Sequence, residues 1–107
     1  RLPKVNSNVT LLKGWFSATL SKFITELNED IALINIDCDT YESTKEIFEL
    51  LKDHIIKDTI IIFDEYFGYP GWKNGEFKAF QEFIKSNSIK YQYLGISNDQ
   101  QCVLIIR

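Results

Sequence analysis

The sequence predicts an α/β fold with a mostly parallel sheet, helices on both faces and an antiparallel last strand. Three observations predict it. Ile31–Asp37 and Thr59–Asp64 are nearly unbroken, β-branched apolar runs, the form of parallel strands covered on both faces. Between them Tyr41, Phe48, Leu51 and Ile55 recur at helical spacing, with Glu42, Lys45, Glu46, Glu49, Lys52 and Asp53 on the other side. The chain ends in two strand-like runs, Lys90–Ile96 and Gln101–Ile106. The four residues joining them suit an antiparallel pair.

The elements follow in order. Val9–Lys13 reads as a short strand stopping at Gly14. Ala18–Leu27 reads as a helix with Leu20, Phe23, Ile24 and Leu27 on one face and Ser17 as its N-cap. The strand at Ile31, the helix from Tyr41 to Ile55 and the strand at Thr59 form a βαβ unit, whose crossover should be right-handed. Phe67–Gly75 holds three glycines and a proline, which makes it a loop. Glu76–Ser86 returns to helix, with Phe77, Phe80, Phe83 and Ile84 as its apolar stripe. The order is β-α-β-α-β-α-β-β in one domain over residues 1–107, with no repeat or linker.

Composition narrows the function classes. The 107 residues are 45% hydrophobic and 14% aromatic, too apolar for a disordered tail. No run approaches ~18 apolar residues, so no membrane partner is expected. The net charge of −3 argues against a nucleic-acid partner held through phosphates. Two cysteines make no disulfide framework, and no apolar segment follows Arg1-Leu2-Pro3-Lys4, so a reducing, cytoplasmic setting is expected. No phosphate-cradling glycine loop occurs.

The chemistry-bearing feature is a pair of strand ends, Asp37-Cys38-Asp39 and Asp64-Glu65. Open parallel sheets bind ligands outside the carboxyl ends of their strands. If the strands are neighbours, roughly 4.8 Å separates their backbones. Carboxylates that close repel unless a proton or a hard cation such as Mg²⁺ or Mn²⁺ lies between them. Solvated strand ends and helix caps are the bland alternative. His54, the only histidine, is expected at the opposite end of the sheet, where a cation suits a helix C-terminus. Cys38 and Cys102 lack metal-ligand spacing. Trp15, Phe16, Tyr66, Phe67, Tyr69 and Trp72 fall in loops expected at the carboxyl edge, where they wall a pocket or cover the sheet end.

The segment Ile36-Asp37-Cys38-Asp39-Thr40-Tyr41-Glu42-Ser43-Thr44 resembles the hIDgDlYeST signature of the macrocin O-methyltransferase family. Ile61-Ile62-Phe63-Asp64-Glu65-Tyr66 is similar to its iifDDY segment, and Gly14-Trp15-Phe16-Ser17-Ala18-Thr19-Leu20 to its GwFpdTL segment. Gly71-Trp72 and Ala79-Phe80 fit as well, so the likeness runs in register from residue 9 to about residue 84. It implies a Rossmann-like methyltransferase that uses S-adenosylmethionine and Mg or Mn to methylate a hydroxyl of a sugar or other small-molecule substrate. It implies that Asp37, Asp64 and Glu65 hold the metal, that Asp37 doubles as the base, and that Gly14, Trp15 and Phe16 lie near the adenine.

The likeness has departures. Glu65 stands for the family's second aspartate, Cys38 for a glycine and Thr40 for a hydrophobic residue. The family's first two strands, with their glycine-rich turn, would precede residue 1, so a partial fold is implied. Those strands belong between the strand at Val9 and the strand at Ile31. A homo-oligomer, or completion by an N-terminal half, is the expected consequence. A non-catalytic remnant or interaction module of the same fold is the alternative. A haloacid-dehalogenase-like phosphatase would use Asp37-x-Asp39, but about 27 residues between its acidic motifs leave no room for the extra βα unit it needs.

Overall fold

β1 (Ile31–Ile36) and β2 (Ile55–Phe63) lie side by side and parallel, joined by α2 (Tyr41–Leu51). A computed structural model describes residues 3–107. The remaining elements are α1 (Phe16–Glu26), α3 (Glu76–Ser86), β3 (Tyr91–Ile96) and β4 (Cys102–Ile106). Sheet order is β1-β2-β4-β3, and β4 runs antiparallel to both neighbours. The α/β class, the βαβ start and the antiparallel last strand are therefore as expected. β4 inserts between β2 and β3 because its buried face, Cys102, Leu104 and Ile106, needs a central place. β3 has a largely exposed burial pattern and takes the edge.

One face of the sheet carries the core. Ile34, Ile36, Ile61, Phe63, Cys102 and Leu104 point to it and meet Ile47, Phe48 and Leu51 of α2 and Phe80, Phe83 and Ile84 of α3. Phe48 is the hub: its ring stacks on Phe83 at 4.7 Å and tilts against Phe80 at 5.8 Å and Phe63 at 6.1 Å. Burying one such side chain contributes about 1.5–3 kcal/mol, and aromatic pairing adds to it. Tyr41 of α2 donates a hydrogen bond to Glu82 of α3, tying the two helices beyond their apolar contact.

Four expectations are corrected. Helices on both faces hold for one face only among the described residues. Phe16, Leu20 and Ile24 of α1 pack against the same core as α2 and α3. The other face presents Leu33, Ile60 and Ile105 in one row and Asn35, Ile62 and Val103 in the next, with Leu33 54% exposed. Residues 9–13 form no strand, because no described strand lies beside them to take up their hydrogen bonds, and β1 is an edge. α1 starts at Phe16, two residues early, with Trp15 as N-cap and Ser17 inside the helix. Finally α2 ends at Leu51, where Lys52–His54 tightens into a 3₁₀ turn.

β2 begins at Ile55, earlier than the apolar run suggests, through a bulge opposite Ile31 and Leu33. Asp58 takes φ 75° in that bulge, a conformation aspartate tolerates. Thr59 holds it by donating from Oγ1 to the Ile31 carbonyl at 2.6 Å.

The N-terminus of α2 is fixed by Thr40, whose Oγ1 accepts from the Ser43 amide at 3.2 Å. Loss of that acceptor leaves an amide unsatisfied. Thr40→Ala should therefore destabilise the chain by about 1 kcal/mol, read as a lower urea midpoint with an unchanged denaturant slope.

Candidate functional site

Pairing of Ile36 with Phe63 brings the two acidic strand ends together. The Asp64 amide donates to the Ile36 carbonyl at 3.0 Å, which carries the ladder one residue past β2 and sets Asp64 beside Asp37. After β1 the chain turns sharply: the Thr40 amide donates to the Cys38 carbonyl at 2.8 Å, with Asp39 between them at φ 65°. Cys38 points inward, its Sγ 3.3 Å from Thr44 Oγ1, while the acids on either side of it face out. Asp39 is thereby folded back over the strand end.

Asp37, Asp39 and Asp64 each place a carboxylate oxygen within 4.8 Å of the others. Glu65 lies outside that trio but feels it. Its carboxyl is raised first by desolvation and then by the charges of Asp39, Asp64 and Asp37. The charge of Asp64, ahead of desolvation and a shared hydrogen bond, holds the Asp37 carboxyl above its ordinary range. Gln101 Nε2 donates to Asp64 Oδ1 at 3.2 Å and fixes that carboxylate from the β3–β4 turn.

Behind the trio lies Glu76, the first residue of α3, fully buried. Its Oε1 accepts from the Glu65 amide at 3.1 Å, and the Asp39 amide also faces the carboxylate and favours its charge. Among the described residues Oε2 has no hydrogen-bond partner. Burial outweighs both amides and pushes the Glu76 carboxyl up to about 7.

The donor set fits a hard divalent cation. It is all oxygen, three carboxylates converge, and their mutual repulsion is unrelieved by any described lysine or arginine in an ion pair with them. Cys38 adds no soft ligand: burial pushes its thiol up, away from the thiolate a metal would need.

The other candidates separate from this edge. His54 precedes β2, its Nδ1 3.0 Å from the Glu29 carbonyl, at the opposite end of the strands from Asp37 and Asp64, as expected. Tyr66 turns into the core, with its hydroxyl 2.7 Å from that of Tyr93, and Trp72 packs edge-on against Phe77. These two aromatics close the sheet end instead of walling a pocket. A surface hollow of about 700 Å³ between α2 and α3 is lined by none of the carboxylates of the cluster.

Gly14 bends the chain into α1 at φ 141°, where an added Cβ would be strained and would press on Thr19 at 3.1 Å, so glycine is favoured there. Trp15 is 85% exposed, and Phe16 packs on the core. A hollow of about 650 Å³ beside this bend is lined by residues on either side of it, among them Lys13, Ala18 and Thr19.

The model of the macrocin O-methyltransferase family, TylF, matches residues 2–105. The chain belongs to this family. Two solved structures are similar to it. One is the apo structure of CalS11, a TDP-rhamnose 3'-O-methyltransferase of calicheamicin biosynthesis. It shares 26% identity at a TM-score of 0.69, over 88% of this chain and 40% of that one. The other is a crystal structure of CalS11, calicheamicin methyltransferase, at the same identity and score over 88% of this chain and 36% of that one. This family member thus spans well under half the length of those proteins. No curated protein matches its sequence. In this member of the family no described helix is long and apolar enough to cross a membrane.

The sequence places Asp39 among the acidic strand ends without giving it a role, and it does not single out Glu76. Asp39 stands in the quoted motif, but only the left-handed turn at its own position shows that it joins Asp37 and Asp64. Glu76 reads as an ordinary acidic residue at a helix start. The signal that it is something else is its spacing: Glu76, Ala79, Phe80 and Phe83 share one buried helix face.

Proposed function

We propose that the chain supplies the acidic carboxyl edge of a divalent-metal-assisted, S-adenosylmethionine-dependent O-methyltransferase acting on a hydroxyl of a sugar or similar small molecule. The observation that carries the reading is the convergence of Asp37, Asp39 and Asp64 in a chain of this family. Mg²⁺ or Mn²⁺ held there would bind substrate hydroxyl oxygens and lower their pKa. Asp37 and Asp64 are the principal ligands, Asp39 closes the trio, and Glu65 stands next in line from the outer side. Asp37 doubles as the base that takes the hydroxyl proton. Gln101 keeps Asp64 in place, and the buried Tyr66 and Phe63 keep water from the core side of the edge.

Gly14, Trp15 and Phe16 contribute an exposed indole to the cofactor's adenine side. The free edge of β1 and the open sheet face beside it are where an N-terminal half or a second copy completes the fold. The protein acts in a reducing, cytoplasmic setting.

The test is calorimetry of the 107-residue chain with Mn²⁺ and, separately, with S-adenosylmethionine. One saturable Mn²⁺ site displaced by Mg²⁺ is expected, together with cofactor binding weaker than micromolar. Absence of a saturable Mn²⁺ site would remove the metal from the reading. Micromolar cofactor binding by the chain alone would show that it needs no completion.

A further inference from the structure

We propose that Glu76 is a positioning residue: its buried carboxylate clamps the loop after β1 to the loop after β2 and so sets the spacing of the acidic trio. The inference rests on the metal reading above, but its geometry does not.

Glu76 touches neither substrate side nor solvent, being fully buried at the start of α3. A buried carboxylate is costly unless it is hydrogen-bonded, so it persists where several donors need one acceptor. The Glu65 amide of the loop after β2 donates to it at 3.1 Å, and the Asp39 amide of the loop after β1 lies on its side and favours its charge. The loop after β2 is also held by the Tyr69 hydroxyl, which donates to the Glu65 carbonyl at 3.3 Å, and by the Tyr66 amide, which donates to the Gln100 carbonyl at 2.8 Å, so Glu76 adds the contact that faces both acid-bearing loops. Asp39 is held at φ 65° in a three-residue turn, and such a turn needs outside support to persist. Cys38 anchors the loop on the core side, through Thr44, which also donates from Oγ1 to the Thr40 carbonyl at 2.8 Å. Glu76 supplies the other anchor. Through α3 it joins the loops to the buried Phe48–Phe80–Phe83 stack.

The unpartnered Oε2 is the second observation. A fully buried oxygen with no partner is rare in a merely structural site. Here it leaves acceptor capacity at the back of a cluster whose front must take up charge. Outer groups that orient ligands in this way typically change metal affinity 10–100-fold when lost.

The experiment compares the wild-type chain with Glu76→Ala, Glu76→Gln and the α3 core variant Ile84→Val. Amide hydrogen exchange of the metal-free proteins is followed by NMR, and Mn²⁺ affinity by titration. Glu76→Ala should speed exchange at Glu65 and Asp39 by at least about tenfold relative to Ile61 in β2, and weaken Mn²⁺ binding by about tenfold or more. Glu76→Gln, which keeps an acceptor but loses the charge, should fall between alanine and wild type in both. Ile84→Val should lower stability without changing either. If Glu76→Ala does not fold, Glu76→Gln alone decides through the same two amides. Unchanged exchange at Glu65 and Asp39 in the glutamine variant, or equal loss of Mn²⁺ affinity in Ile84→Val, would overturn the clamp. If wild type shows no Mn²⁺ site, the metal reading fails, while the amide rates still decide whether Glu76 holds the loops.

Discussion

Asp64→Asn is expected to weaken Mn²⁺ binding by at least about 100-fold, the upper end of what outer-sphere changes produce. Two effects add. The variant removes one anionic ligand of three oxygens that lie within 4.8 Å. It also lowers the negative potential that makes the edge attractive to a cation. The same change should leave the metal-free protein as stable as wild type or slightly more so at neutral pH, because the Asp37–Asp64 repulsion disappears. Asparagine keeps an oxygen for the Gln101 amide, so the β3–β4 turn should hold. Asp37 provides an internal check: its carboxyl is raised chiefly by Asp64, so its titration by NMR should move back down towards the ordinary range. His54→Gln should bind Mn²⁺ as wild type does, since His54 sits at the far end of the strands. Unaltered affinity in Asp64→Asn would show that the three carboxylates converge without serving as one site.

The parts of this edge that the sequence makes legible are those fixed by local chemistry. An unbroken apolar run that stops on aspartate states both a strand and its carboxyl end, and two such runs around an amphipathic segment state the βαβ unit. Register then follows with little freedom, because Ile34, Ile36, Ile61 and Phe63 must face the same core. What is illegible depends on neighbours distant in sequence. Val9–Lys13 has strand composition, but a strand is a pairing, and no described strand lies beside it. The apolar runs of β1 and β2 suggest cover on both faces. They carry Leu33, Ile60 and Ile62 for a second face that the described residues leave open. Asp39 joins the cluster through a positive φ at a non-glycine residue, which no composition rule announces. Glu76 shows only as a charged residue on an apolar stripe, a conflict between levels of the kind that marks functional positions.

That conflict predicts a pH dependence. In the metal-free protein the Glu76 carboxyl is raised from 4.5 to about 7, first because burial disfavours its charge. The folded chain therefore holds this proton more tightly than the unfolded chain does. A raised carboxyl contributes stability that is complete below its unfolded pKa and is lost as pH climbs through the folded value. The window here runs from 4.5 to about 7, and a shift of that size corresponds to about 3 kcal/mol. Asp37 and Glu65 are raised as well and act in the same direction, so wild type should lose stability as pH climbs from 4.5 to about 7 and level off above that. Glu76→Gln mimics the protonated form at every pH, and its curve should be flatter by about 3 kcal/mol over that span. At pH 5 the two proteins should be nearly equal, and at pH 8 the variant should be the more stable. Urea unfolding in EDTA at four pH values measures this. Parallel curves would mean that Glu76 carries its charge in the fold without penalty, and that the two amides of Glu65 and Asp39 outweigh its burial.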